Sequence, residues 1–145
     1  MRTYADTSAL VALYAREPAA ASLLDCFQGA TDSPGQDLVV SDWAVTEFAS
    51  ALGVKQRRGE LDGAQSSLVW QAFCEACDGR FTIEPVNTDD LAQASDYCLQ
   101  AATGLRAGDA LHLAAAQRMG CGALLSLDET LNRNARASGM TVMPA

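Results

Sequence analysis

Gly104-Leu105-Arg106-Ala107-Gly108-Asp109-Ala110-Leu111-His112-Leu113-Ala114-Ala115-Ala116 decides how the rest of this chain is read. Behind Asp109 lies an almost unbroken apolar run from Ala110 to Ala116. A helix apolar on most of its surface belongs in an interior. Asp109 therefore stands at the mouth of a buried helix, at the edge of a core. On its own it reads as a helix cap, because Asp is a favoured capping residue. The reading changes when three other acids are found in comparable settings.

Outward from this helix, strand and helix patterns alternate. Arg2 to Ala5 reads as a short strand ending at Asp6, with Thr7 and Ser8 available to cap the helix that follows. Leu38-Val39-Val40 is a second buried strand, after which Ser41 or Asp42 caps a helix from Trp43 to about Arg58. A fourth helix is expected from about Ala64 to Cys77, and a strand over Arg80 to Val86. Thr88 or Asp89 is expected to cap a helix running to about Ala102, closed by Gly104. Ala123 to Ser126 and Met140 to Met143 are further strands, with Asp128 opening the helix between them. Such alternation implies a parallel sheet covered on both faces. Sheets of this kind bind ligands at the carboxyl ends of their strands.

The chain has 145 residues, 49% hydrophobic and 19% charged, an ordinary globular balance that suits one domain. No uncharged apolar run approaches the roughly 18 residues of a membrane span. An acid at Asp6 comes too early for an export signal, so a cytoplasmic protein is expected. Five scattered cysteines fit reduced thiols. Cys74-Glu75-Ala76-Cys77 has no second pair and no histidine at zinc spacing, so it reads as two cysteines one helical turn apart. The net charge of −8 has the wrong sign for a generic nucleic-acid binder and suits a cation site or a basic partner.

Four acids carry the functional reading. Asp6 follows the first strand directly. Glu47 lies mid-helix in apolar surroundings, with no Lys or Arg three or four residues away. Asp109 opens the buried helix, and Asp128 follows the Leu124-Leu125 strand. Each has an ordinary explanation as a turn, a solvated face or a cap. Together, three of them fall at element ends that a parallel sheet gathers on one edge. Gathered carboxylates repel and raise each other's pKa. A hard divalent cation relieves that, and oxygen ligands select Mg²⁺ or Mn²⁺ over zinc or copper.

Tyr4-Ala5-Asp6-Thr7-Ser8-Ala9-Leu10, Glu47 within a helix, Asp109-Ala110-Leu111-His112-Leu113-Ala114 and Ser126-Leu127-Asp128, in that order and spacing, resemble the PIN-domain ribonucleases. Size and arrangement are similar to VapC-type toxins of type II toxin–antitoxin pairs. The resemblance spans essentially the whole chain, residues 1–145. It implies a single PIN-like nuclease domain: a three-layer α/β/α fold with a central, mainly parallel sheet of four to five strands and about seven helices. It implies an endoribonuclease dependent on Mg²⁺ or Mn²⁺, in which an acidic cluster holds a metal-activated water against an RNA phosphodiester. It also implies a cognate antitoxin with a basic segment, and a homodimer.

Carried onto this sequence, Asp6, Glu47, Asp109 and Asp128 become both the catalytic quartet and the metal ligands. Thr7, Ser8 and Ser126 become supporting residues behind them. Arg106, just before the buried helix, is a candidate RNA contact. So is Arg58, eleven residues past Glu47 and thus about 20° round the helix and about 16 Å along it. His112, one turn beyond Asp109, is expected to be a satisfied, partly buried histidine near the site. Trp43, Phe48, Trp70 and Phe73 read as core or dimer contacts rather than base-stacking platforms.

Two other classes compete. One is a non-catalytic PIN-like module that binds RNA or a basic protein partner. The other is a phosphotransfer domain, which needs a second Asp near the first or a well-placed Lys. Asp6-Thr7-Ser8 lacks the former, and Lys55 is the only lysine.

Overall fold

The computed structural model describes residues 1–145. Five strands form one parallel sheet: β1 (Arg2–Ala5), β2 (Asp37–Ser41), β3 (Thr82–Glu84), β4 (Ala123–Leu125) and β5 (Thr141–Met143). Their order across the sheet is β3-β2-β1-β4-β5, so β1 is central. Seven helices connect them: α1 (Thr7–Tyr14), α2 (Ala20–Asp32), α3 (Asp42–Arg57), α4 (Gly63–Cys77), α5 (Thr88–Leu99), α6 (Ala107–Arg118) and α7 (Glu129–Ala137). This is the three-layer α/β/α arrangement, with every strand parallel.

The period-2 alternation of the strands divides the core. Tyr4, Val39, Leu124 and Val142 point to one face, into a cluster with α5, α6 and α7 residues such as Leu113, Ala115 and Leu131. Ala5, Leu38, Val40 and Leu125 point to the other, into a cluster with Leu10, Leu23, Phe48 and Phe73 of α1 to α4. Two-sided burial is why these strands read as apolar runs. Phe48 and Phe73 stack face to face, centroids 3.9 Å apart and 7° from parallel, and tie α3 to α4.

From β1 the chain steps outward on one side to β2 and β3. The α5–α6 connection then returns it across the sheet to β4, on the other side of β1. The direction of winding reverses between β1 and β4. In open parallel sheets the crevice outside the strand carboxyl ends at such a point is the ligand site. Asp6 ends β1, and Ser126 to Asp128 follow β4.

Several local expectations change. The third strand is limited to Thr82–Glu84. Helix α4 begins at Gly63, where the Asp62 side chain and Gln65 form a reciprocal capping box. Asn87, rather than Thr88 or Asp89, caps α5 through a second box with Asp90. Helix α6 starts at Ala107 with Arg106 at its cap position, which makes Asp109 a first-turn residue and not the cap. Gly104 adopts a left-handed backbone (φ 67°) after the short turn Ala101–Thr103, an angle that favours glycine.

Candidate active site

Asp6 is built in at the junction of β1 and α1. It is 2% exposed and caps α1: its Oδ1 accepts from the Ala9 amide at 3.0 Å. Thr7 and Ser8 do not cap α1, contrary to expectation. Asp6 comes one residue before the helix with extended backbone, and its short carboxylate reaches the third amide of the helix. Ser8 Oγ donates to Asp6 Oδ1 at 2.7 Å, and Ser126 Oγ donates to Oδ2 at 2.6 Å. Both serines also accept from the β4–α7 loop: Ser8 from the Leu127 amide and Ser126 from the Asp128 amide, each at 3.0 Å. Asp128 in turn caps α7, accepting from the Leu131 amide at 2.8 Å. The loops after β1 and β4 are thus laced together around one carboxylate.

Glu47 arrives from the middle of α3. Thr7 Oγ1 donates to its Oε1 at 2.6 Å, and His112 Nε2 lies 2.5 Å from the same oxygen. Its Oε2 lies against Gly108. A Cβ at residue 108 would stand 3.2 Å from that oxygen, so the missing side chain is what lets α6 approach. The next residue, Asp109, lies in the first turn of α6, and no donor in the protein reaches its carboxylate.

The electrostatics follow from this crowding. Burial pushes the Asp109 carboxyl up to about 6, and the negative charges of Asp128, Asp6 and Glu47 add to the effect. Burial also raises Asp6, against the opposing pull of His112, Ser126, the Ala9 amide and Ser8. Glu47 moves the other way. Burial alone would raise it, but the hydrogen bonds and charge from His112, with Thr7, hold it below the ordinary carboxylate range. One member of the cluster is therefore kept ionised while two are pushed towards their neutral forms.

All four expected acids, with Thr7, Ser8 and Ser126, lie at the carboxyl edge of the sheet. Arg58 lines a groove of about 460 Å³ that leads off this edge past Thr7, Ser8 and Leu127. In the same groove Lys55 is committed to Glu17 and Glu60, which leaves Arg58 as the cation without an ion-pair partner. Arg106 is exposed at the start of α6. Trp43 lines a separate apolar groove of about 650 Å³ with Gly108, Leu91 and Leu111.

Sequence reasoning missed Tyr4, Ser41 and Asn132. Asn132, 4% exposed, donates to the Ser126 carbonyl at 3.0 Å and steadies the loop that carries Asp128. An Asn inside a helix shortly after a strand-end acid is the only sequence signal for it, and a weak one.

The sequence matches the PIN-domain family over residues 3–137. The chain belongs to the PIN-domain family. Solved structures share this PIN fold at low identity. VapC20 of Mycobacterium tuberculosis, described as a toxin cleaving the sarcin–ricin loop, superposes with a TM-score of 0.68 at 18% identity, over 96% of each chain. VapBC2 of Rickettsia felis, solved on a DNA fragment from its promoter, gives 0.70 at 12% identity, over 98% of this PIN chain and 97% of that one. VapBC-1 of nontypeable Haemophilus influenzae gives 0.65 at 14% identity, over 99% and 97%. At such identities the likeness shows the fold alone. No curated protein sequence matches the chain. No helix is long and apolar enough to cross a membrane.

No three His, Cys, Asp or Glu side chains converge closely enough to hold a metal ion by themselves. The donor set still fits a hard cation. Mg²⁺ is ordinarily held by one or two carboxylates, with waters and substrate phosphates completing the octahedron. Here the oxygens are all hard, and the Asp109 carboxyl, raised first by burial, also feels neighbouring negative charge that a cation would neutralise.

Proposed function

We propose that residues 1–145 act as a single nuclease domain, a VapC-type endoribonuclease toxin dependent on Mg²⁺ or Mn²⁺. The observation that carries this reading is the gathering of Asp6, Glu47, Asp109 and Asp128 at the strand carboxyl ends where the sheet's winding reverses. Asp6 and Asp109 would hold the cation first, with Glu47 and Asp128 directly or through water. Bound there, the ion supplies positive charge at the scissile phosphate and a more acidic water.

The protein's own residues do the rest. Ser8 and Ser126 hold both oxygens of Asp6 in place. Thr7 holds Glu47. Arg58 and Arg106 take phosphates on either side of the acids, and the groove past Thr7 and Ser8 guides the strand. With four acids in the site, a formal −4 remains elsewhere (−8 + 4), so RNA affinity rests on these local arginines. The same acidity suits an antitoxin whose basic segment lays arginines bidentately on the carboxylates. Neighbours solved as VapBC complexes support that partner, and a homodimer is part of the reading.

The test is cleavage of RNA by the purified protein with and without Mg²⁺ or Mn²⁺. Cleavage is expected only with metal and is abolished in Asp6→Asn, where an amide still caps α1. Expression should arrest growth, and Asp109→Asn should relieve the arrest. No metal-dependent cleavage, with retained binding to an arginine-rich peptide, would instead select the non-catalytic reading.

A further inference from the structure

Behind Glu47 a chain of polar side chains runs into the core. His112, the only histidine, is 2% exposed. Its Nδ1 lies 2.6 Å from Tyr4 Oη, and Tyr4 Oη lies 3.0 Å from Ser41 Oγ. Tyr4 and Ser41 are fully buried. Ser41 Oγ accepts the Ala44 amide at 3.1 Å as the cap of α3, the helix that carries Glu47. The chain thus starts at the cap of α3 and returns to the side chain in its middle.

Hydrogen counting orients it. An ionised carboxylate only accepts, so at 2.5 Å from Glu47 Oε1 the His112 Nε2 must carry a hydrogen. In the neutral ring Nδ1 accepts from the Tyr4 hydroxyl only if that hydrogen turns from Ser41 Oγ, to which it is donated in this structure. In the charged ring Nδ1 donates to Tyr4, which donates to Ser41. Nε2–H donates to Glu47 either way. Thr7 donates to the same oxygen, so Oε1 is doubly occupied, while Oε2 accepts no hydrogen bond and is left against Gly108, beside Asp109.

We infer that His112 is a positioning residue: the Ser41–Tyr4–His112 chain pins Oε1 of Glu47 so that Oε2 is presented to a divalent cation. This deepens, and rests on, the metal-dependent reading above. A partly exposed glutamate mid-helix has free rotamers, and two donors on one oxygen remove them at the moment a ligand must bind. Partners that orient a ligating side chain in this way commonly change metal affinity or activity by about 10–100-fold when removed.

The test uses the whole metal-free protein titrated with Mn²⁺ by calorimetry, alongside RNA cleavage. His112→Leu should weaken Mn²⁺ binding and lower kcat by about 10–100-fold, with KM for RNA unchanged. His112→Gln, which can place an amide N–H near the Nε2 position, should recover most of the loss although both variants lose the imidazole packing. Tyr4→Phe keeps the ring in the core and should weaken Mn²⁺ binding by a smaller factor, which serves if His112→Leu does not fold. In ¹⁵N spectra of the metal-free wild type at alkaline pH, the single imidazole should be protonated at Nε2. A neutral ring protonated at Nδ1, wild-type Mn²⁺ affinity in both His112→Leu and Tyr4→Phe, or a His112→Gln variant no better than His112→Leu would overturn the inference. A wild type that binds Mn²⁺ yet cuts no RNA would sink the nuclease reading alone. One that binds no Mn²⁺ sinks both.

Discussion

Replacing Asp109 by Asn should make the metal-free protein less sensitive to rising pH. The unfolded chain releases the Asp109 proton near 3.8, whereas the folded protein holds it until about 6. Between those values the folded state binds more protons, so this group's stabilising contribution is present below 3.8 and is lost as pH rises through about 6. The full difference is about 3 kcal/mol at 1.36 kcal/mol per pKa unit, as an upper limit given that the side chain is only half-buried. Roughly half of it, about 1.4 kcal/mol, falls between about pH 5 and about pH 8. For a chain of this length that is about 3–6 °C in Tm. The assay is thermal unfolding followed by circular dichroism in EDTA at both pH values. Wild type should lose up to about 3–6 °C more than Asp109→Asn over the interval, because the amide does not titrate. Mn²⁺ at about 100 times its Kd should return about 2.7 kcal/mol to wild type at the higher pH, and much less to the variant. Identical pH dependence of the two proteins would refute the electrostatic account of the cluster.

Gly108→Ala places a Cβ 3.2 Å from Glu47 Oε2, so cleavage should fall about tenfold or more while Tm moves little; equal activity would show that Oε2 is free to shift. Arg58→Ala should raise KM for RNA without changing kcat and should flatten the salt dependence of binding, read from cleavage at several ionic strengths. Phe73→Ala removes one partner of the buried Phe48 stack and should cost about 3–5 kcal/mol in urea unfolding, without altering the metal requirement of the remaining folded protein.

What the sequence showed, and what it hid, divides along the range of the interactions. The strands β1, β2 and β4 are legible because two-sided burial makes Tyr4-Ala5, Leu38-Val39-Val40 and Leu124-Leu125 apolar without interruption. The places of Asp6 and Asp128 follow from them, since both stand just past a strand. Caps are less legible: Asp6, Thr7 and Ser8 are all competent, and only backbone geometry decides that Asp6 takes the Ala9 amide. The strand β3 shrinks to Thr82–Glu84 because only those residues pair with β2 at the sheet edge. The partners of His112 were hidden for a plainer reason. Tyr4 lies 108 residues away and Glu47 lies 65, and no local pattern encodes such pairs.

The central position of β1 has a consequence for synthesis. Arg2 pairs with Asp37, 35 residues on, but Thr3 pairs with Ala123, 120 residues on. On the ribosome the first strand to emerge therefore waits with one edge bare until nearly the whole polypeptide has followed it. Ser126, which bonds Asp6, and Asp128 come later still. A chain broken off anywhere before β4 carries an open edge of β1 and none of the loop that completes the acidic cluster, so premature termination should yield protein that aggregates rather than protein that cuts.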